Sequence, residues 1–302
     1  MKASRGIIRK ISPNVHHGIS SKHDHMKDCS SSEDFINKHK AEKEHQEYVS
    51  ILKTHLEEVI ELESDERYPD CVFVEDPIVV VDHVVFLNRM GALSRRGEID
   101  AFREVFLSSK ISNSWTRNYT LVDMYEKSET ATVDGGDCCA IYETKHLFMG
   151  ISSRTNMEGI LLYEKVLSEL GWKVIPVKVK QGLHLKSFVT YFLSSSAEIL
   201  LTVNDDEIGR DIFSQIQSHS NEKFTYRALF VPEEEACNVV SFKSLKTNKH
   251  VIIYKSGYHQ SEIIFKNAMN ESQVFNVELI PIEYDELAKL DGCLTCCCVL
   301  FQ

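Results

Sequence analysis

The run Leu290-Asp291-Gly292-Cys293-Leu294-Thr295-Cys296-Cys297-Cys298-Val299-Leu300-Phe301 holds four of the chain's nine cysteines within a dozen residues. Thiols at that density serve as a disulfide staple, a metal knot, a lipidation tail or a catalytic nucleophile. Near the N-terminus only Ile7-Ile8 precedes Arg9-Lys10, too short an apolar stretch for a signal peptide or a membrane span. A cytoplasmic protein with reduced thiols is therefore expected, and an odd number of cysteines cannot all pair. Prenylation requires a cysteine fourth from the end, where this chain has Val299. A metal or a nucleophile remains.

Five more clusters set charge beside apolar sequence. Asp70, Glu75 and Asp76 are interleaved with apolar residues, Phe73 among them, in a stretch that reads as a buried strand; carboxylates entering a core are costly unless they meet a cation. Arg95-Arg96 precede a helix. Asp134-Gly135-Gly136-Asp137 sets tandem glycines, which permit a tight backbone path, between two aspartates. Arg154 enters another helix, where its guanidinium could grip a carboxylate by a forked pair of hydrogen bonds. His184 lies between leucines on an apolar strand and reads as either a core residue or a catalyst. Taken singly, a solvated turn, a surface Arg pair or a satisfied core histidine explains each cluster about as well. His16-His17 and His23-Asp24-His25 suggest metal binding, but no regular ligand spacing follows and a solvated loop suffices.

The elements that must position these residues repeat. Ser12 to about Lys40 reads as a polar, partly disordered insertion in an N-terminal segment spanning 1–40, ahead of a single catalytic domain over 41–302. Tyr48, Ile51, Leu52 and Leu56 fall at helical spacing, and Val59 to Glu63 looks like a strand. Thr155 is the expected N-cap of a helix closed by Gly171 and followed by a strand from Lys173 to Val177. A weaker copy has a helix at Ser261–Asn270 and a strand at Phe275–Ile282, and further helices are expected at Glu98–Phe106 and Asp205–Ser218. Hairpins are expected around Asp82-His83 and between Cys138–Tyr142 and Leu147–Ile151. About five units of strands plus one helix, with no Gly- or Pro-rich linker, predict a single-domain, pseudo-symmetric α/β array whose axis can hold a site built from distant segments.

A net charge of -11 argues against nonspecific nucleic-acid or anionic-membrane binding and suits a small cationic substrate. Length and 43% hydrophobic content allow a sizeable core.

In order and spelling, Pro-Asp-Cys-Val-Phe-Val-Glu-Asp, Ser-Arg-Arg, Asp-Gly-Gly-Asp, Arg-Thr-Asn, Gly-Leu-His-Leu-Lys-Ser-Phe and Asp-Gly-x-Leu-Thr-Cys-Cys resemble the dimethylarginine dimethylaminohydrolase family over about Glu44 to Phe301. The resemblance implies a five-bladed α/β propeller, the pentein fold shared with arginine deiminases. It implies hydrolysis of Nω,Nω-dimethylarginine or Nω-methylarginine to citrulline and a methylamine through a covalent Cys thiouronium, relieving inhibition of nitric oxide synthesis. It places Cys296 as nucleophile, His184 as general acid/base and Asp134 as the acid orienting His184. Glu75 and Asp76, with Phe73 beside them, would bind the guanidinium, and Asp70 the α-ammonium. Arg95 and Arg154 would take the α-carboxylate, Leu290 would act through its carbonyl and Ile19 would lie in a lid.

No cofactor is implied; Cys296 and His184, with Cys293 or Cys297, could bind inhibitory Zn²⁺. The expected partner is a small molecule, the protein being a monomer or weak homodimer. Met90, Leu93, Pro77 and Cys298 depart from the family's usual residues. Two other readings stay open: a catalytically silent scaffold, and an arginine or agmatine deiminase.

Overall fold

Antiparallel hairpins recur along the chain, each followed by a helix that returns a third strand parallel to the second. The computed structural model describes residues 1–18, 35–107, 119–195, 197–272 and 274–302. Its strands are β1 (Lys2–Ala3), β2 (Arg5–Arg9), β3 (Glu58–Leu62), β4 (Ile78–Val81), β5 (Val84–Leu87), β6 (Thr120–Asp123), β7 (Cys138–Ile141), β8 (His146–Ile151), β9 (Lys173–Lys178), β10 (Val189–Ser194), β11 (Glu198–Asn204), β12 (Thr225–Val231), β13 (Val240–Ser244), β14 (His250–Lys255), β15 (Val277–Ile282) and β16 (Val299–Phe301). Its helices are α1 (Lys38–His55), α2 (Ile99–Leu107), the single turn α3 (Met124–Lys127), α4 (Met157–Leu167), α5 (Glu207–Gln217) and α6 (His259–Ser272).

Five sheets result: β4-β5-β6, β7-β8-β9, β10-β11-β12, β13-β14-β15 with β1 on its edge, and β16-β2-β3. In every blade the first pair is antiparallel and the second parallel. A parallel return needs a crossover, supplied in turn by α2, α4, α5, α6 and α1. The expected five-bladed α/β architecture is thus formed. Its fifth blade joins both ends of the chain, with Val299 opposite Ile7 and Phe301 opposite Arg5.

Local chemistry sets the elements. Asp82 and Lys145 take left-handed φ values of 52° in the β4–β5 and β7–β8 turns. The Asn37, Asn156 and Asp206 side chains cap α1, α4 and α5. The cap of α4 is therefore Asn156 rather than Thr155, whose hydroxyl instead accepts the Asp134 N–H at 3.1 Å. Each helix buries its apolar face on its blade: Ile160, Tyr163 and Leu167 of α4 share a cluster with Phe86, Leu147, Met149 and Trp172. Among the described residues no helix is long and apolar enough to cross a membrane.

Three local expectations change. Tyr68–Asp76 forms no strand; it is a succession of turns, with Cys71 N–H donating to the Tyr68 carbonyl at 3.2 Å and Phe73 N–H to the Asp70 carbonyl at 2.9 Å. His184 lies just outside a strand, as the extended residue that starts the 3₁₀ turn Leu185–Ser187. Cys297 and Cys298 do not alternate faces of a strand, because Thr295–Cys297 is a 3₁₀ turn and β16 begins at Val299. The polar insertion also ends earlier than expected: α1 starts at Lys38, and Ser12 and Asn14 donate to the Asp65 and Glu66 carbonyls at 3.0 and 2.9 Å. His23, Asp24 and His25 lie outside the described residues.

Phe301 of the closing strand is buried with Ile7, Ile78, Leu87 and Phe102. Phe301→Ala is expected to lower the unfolding free energy by about 3–5 kcal/mol, read as a lower urea midpoint at unchanged slope. A loss under about 1 kcal/mol would mean that the closure contributes little.

Candidate active site

The links from the third strand of one blade to the first strand of the next converge on the axis. The β3–β4 link carries Asp70, Phe73, Glu75 and Asp76; β6–β7 carries Asp134 and Asp137; β9–β10 carries His184 and Lys186; β12–β13 carries Asn238; β15–β16 carries Leu290 and Cys296. Successive second-strand exits, before α2 and α4, contribute Arg95 and Arg154.

His184 Nε2 lies 3.1 Å from Asp134 Oδ2 and 4.0 Å from Asp76 Oδ1. The second Asp134 oxygen accepts the Gly91 N–H at 2.8 Å, so the carboxylate is fixed at both ends. The tandem glycines admit the imidazole: a Cβ on Gly136 would stand 2.5 Å from His184 Nδ1, and one on Gly135 only 1.9 Å from the Glu75 carbonyl oxygen. Burial opposes the imidazolium, but Asp76, Asp134 and Asp137 outweigh it and raise the His184 pKa to about 9. Because this exceeds the ordinary 6.5, protonation adds native stability that is full below about pH 6.5 and is lost as pH rises through about 9.

Asp76 is held ionised. Burial disfavours its charge, but His184 and the Arg95 guanidinium outweigh burial and keep it below the ordinary carboxylate range. Arg95 donates to Asp76 Oδ2 at 2.6 Å, to both Glu98 oxygens at 2.9 Å and to the Phe73 carbonyl at 3.2 Å. Its donors are directed at the protein, with Asp76 and Glu98 as its carboxylate partners. The Arg154 guanidinium, half-buried at the equivalent place one blade on, has no protein partner among the described residues. Gly91 packs against the Arg154 backbone and ties it to Asp134.

Cys296 sits in the turn Thr295–Cys297, half-buried. Its carbonyl accepts the Glu75 N–H at 3.1 Å, bringing this turn and the carboxylate pair together. The Cys293 thiol contact first, then burial, then the charges of Glu75 and Asp76 raise the Cys296 pKa well above that of an ordinary thiol. Cys297 and Cys298 differ in kind. Tyr284 hydroxyl lies 2.7 Å from Cys297 Sγ, and Tyr48 hydroxyl 2.9 Å from Cys298 Sγ. Both thiols are buried, and burial pushes Cys298 up to about 12.

Glu75 accepts from Thr295 Oγ1 at 2.9 Å and pairs with Lys186. Burial disfavours the Lys186 ammonium, yet Glu75 outweighs it and raises the pKa. Glu75, Lys186 and Thr295 also line an axial cavity of about 150 Å³ with Cys138, Tyr191 and Cys298. Cys296, His184 and Asp76 are not among its lining residues. Buried Asp70 and Leu290 both contact Gly18, where an added Cβ would meet Asp70 Oδ1 at 2.6 Å and Leu290 Cδ1 at 3.0 Å. Ile19 lies outside the described residues.

Three metal-ligating groups come together among the described residues at Asp76, Asp134 and His184. Cys296 is not one of them, and Cys297 Sγ lies against the Tyr284 hydroxyl. Four further residues position these groups; of them Asp137 was legible only as the second aspartate beside the tandem glycines. Asn88 accepts from Tyr163 hydroxyl at 2.7 Å and donates to the Asp76 carbonyl at 2.9 Å. Asp137 accepts the Leu185 N–H at 2.8 Å. Asn238 receives the Thr295 N–H at 2.9 Å and donates to the Lys186 carbonyl at 3.1 Å. Lys186 was visible only as one letter of a motif; isolated asparagines give no signal.

The chain is 27% identical over 296 residues to an N(G),N(G)-dimethylarginine dimethylaminohydrolase of Streptomyces coelicolor, covering 98% of this chain and 96% of the relative. It is 26% identical over 266 residues to the enzyme of that name from Pseudomonas aeruginosa, covering 87% and 89%. Its fold matches a Pseudomonas aeruginosa DDAH variant solved with citrulline, with TM-score 0.73 and 24% identity over all of both chains. The N-terminal domain of ArgZ, a cyanobacterial arginine dihydrolase, matches with TM-score 0.70 at 16% identity, covering 98% of this chain and 97% of that one. The eukaryotic N,N-dimethylarginine dimethylhydrolase model matches residues 15–301, and the chain belongs to that family of hydrolases.

Proposed function

We propose that this protein hydrolyses Nω,Nω-dimethyl-L-arginine and Nω-methyl-L-arginine to L-citrulline and the corresponding methylamine, and so relieves inhibition of nitric oxide synthesis by those amino acids. The carrying observation is the imidazole of His184, held 3.1 Å from Asp134 and 4.0 Å from Asp76 beside the turn that holds Cys296. The reaction calls for no cofactor.

A guanidinium carbon is a poor electrophile, so it needs a thiolate nucleophile and carboxylates that hold the cation still. Asp76 and Glu75 face the guanidinium, Asp70 the α-ammonium, with the Leu290 carbonyl beside it, and Arg154 the α-carboxylate. Phe73 walls the side chain. Cys296 sulfur attacks the carbon as its proton leaves to solvent. His184 donates its proton to the departing dimethylamine as the C–N bond breaks, leaving a thiouronium on Cys296. The neutral imidazole then takes a proton from water, whose oxygen attacks the same carbon, and citrulline departs with the thiolate restored.

Cys296 is protonated in the free protein, and the substrate's own cation supplies the positive charge that ionises it. Alkylation of Cys296 by iodoacetamide, followed against pH, is therefore expected to shift to lower pH when a non-hydrolysable arginine analogue is bound. An unchanged profile refutes substrate-assisted ionisation.

His184 must carry its proton to act as the acid, so kcat/KM is expected to fall as pH rises through about 9. In Asp134→Asn the limb moves to lower pH, and the rate drops about 10²–10⁴-fold; a limb that stays in place removes His184 from the acid role.

Wild-type protein incubated with dimethylarginine is expected to yield equal amounts of citrulline and dimethylamine. His184→Ala should lose about 10²–10⁴-fold and Cys296→Ser should yield no product. Absence of citrulline from the wild type, or ammonia release from arginine in preference to dimethylamine release, overturns the assignment.

A further inference from the structure

Cys293 and Cys296 bracket one tight turn, Cys293-Leu294-Thr295-Cys296. The Cys296 N–H donates to the Cys293 carbonyl at 3.1 Å, and the Cys293 N–H donates to Cys296 Sγ at 3.4 Å. A turn closed in that way keeps its first and last Cα atoms within about 7 Å, and disulfides span Cα separations of about 4.4–6.8 Å. The Cys293 side chain is the largest single influence on the Cys296 thiol. Cys293 Sγ is otherwise in contact with the Asp291 carbonyl at 3.9 Å.

Exposure separates this pair from the other thiols. Among the eight cysteines described, Cys293 and Cys296 are half-buried and the other six are buried. Cys293 also lines a cavity of about 130 Å³ with Gly182, Leu183, Phe188, Asp291 and Gly292. A small polar oxidant can reach Cys293 from there, and Cys296 is only half-buried, whereas Cys297 and Cys298 are buried and turned to Tyr284 and Tyr48. No step of the hydrolysis uses Cys293.

We propose that Cys293 is a resolving thiol: when a peroxide oxidises Cys296, Cys293 captures the product as a reversible Cys293–Cys296 disulfide. Cys296 sulfur first attacks one oxygen of hydrogen peroxide; an S–O bond forms as the O–O bond breaks, and the departing hydroxide leaves as water with the proton of the Cys296 thiol. Cys293 sulfur then attacks the sulfenic sulfur; the S–S bond forms as the S–O bond breaks, and the hydroxide takes the Cys293 proton and leaves as a second water. Two thiols and one peroxide become one disulfide and two waters. A dithiol reverses the change by exchange and is itself oxidised to its disulfide. Capture at this stage stops Cys296 before the irreversible sulfinic and sulfonic acids. The high thiol pKa makes the first step slow near neutrality and faster as pH rises, so the pair protects against sustained oxidant.

Loss of activity on oxidation rests on Cys296 being the nucleophile, but formation of the disulfide does not, and the experiment reads both. Full-length wild type and Cys293→Ser are treated with hydrogen peroxide and then dithiothreitol. In the wild type two titratable thiols are expected to disappear, and the peptide containing both residues should lose the mass of two hydrogens. Dithiothreitol should restore both thiols and citrulline formation. Cys293→Ser is expected to retain basal activity but to recover several-fold less, with sulfinic or sulfonic acid on Cys296; Cys293→Ala should behave alike. A wild-type crosslink to Cys297 instead, the absence of any crosslink, or full recovery of both variants overturns the proposal. A protein that forms the disulfide yet makes no citrulline would count against the hydrolase reading alone.

Discussion

The site depends on keeping one carboxylate charged at the bottom of a protein. Asp76 receives the Gly136 N–H on Oδ1 at 3.1 Å and Arg95 on Oδ2 at 2.6 Å, and Oδ1 lies 4.0 Å from His184 Nε2. Its backbone carbonyl is fixed by Asn88 at 2.9 Å and Gly135 N–H at 3.2 Å. Leaving a buried charge without its partner costs several kcal/mol, so the Arg95–Glu98 fork, the tandem glycines and the β5 exit are all required by Asp76. The same charge raises the His184 pKa. Fold and chemistry therefore meet in the electrostatic balance of a few buried atoms.

The pseudo-symmetry clarifies how one blade plan produces unequal parts. Arg95 and Arg154 occupy corresponding exits of adjacent blades, but only Arg95 has Glu98 three residues on, and the fork between them turns its guanidinium inward. Corresponding inter-blade links likewise deliver an aspartate pair, an imidazole, an asparagine and a thiol. A blade sets where a side chain arrives; its neighbours decide what that side chain can do.

Much of this was legible in the sequence, for physical reasons that differ by residue. Hydrophobic periodicity exposed the helices and hairpins, because burial on one face imposes a period. The motif spelling brought Asp76, Asp134, His184 and Cys296 forward together. The Tyr68–Asp76 segment was misread as a strand because its apolar spacing suits a strand, whereas its hydrogen bonds are local turns. The Arg95–Asp76 pair gave no sequence signal, because the two residues are distant in sequence and meet only through the fold. Asn88 and Asn238 were invisible: a lone amide acquires its role from the carbonyls that surround it, and those come from other blades.

The fifth blade gives the order of events during folding a direction. Val299 must find Ile7, and Phe301 must find Arg5, from nearly the greatest sequence separation the chain allows, whereas the other blades, apart from β1 on the edge of β13, are built from neighbouring segments. Closing so long a loop is entropically unfavourable and slow compared with local pairing. The turn bearing Cys296 leads directly into that last strand. Docking of β16 is thus the step that brings Cys296 to the axial carboxylates, and a chain with four blades assembled has most of its mass ordered while that site is still incomplete.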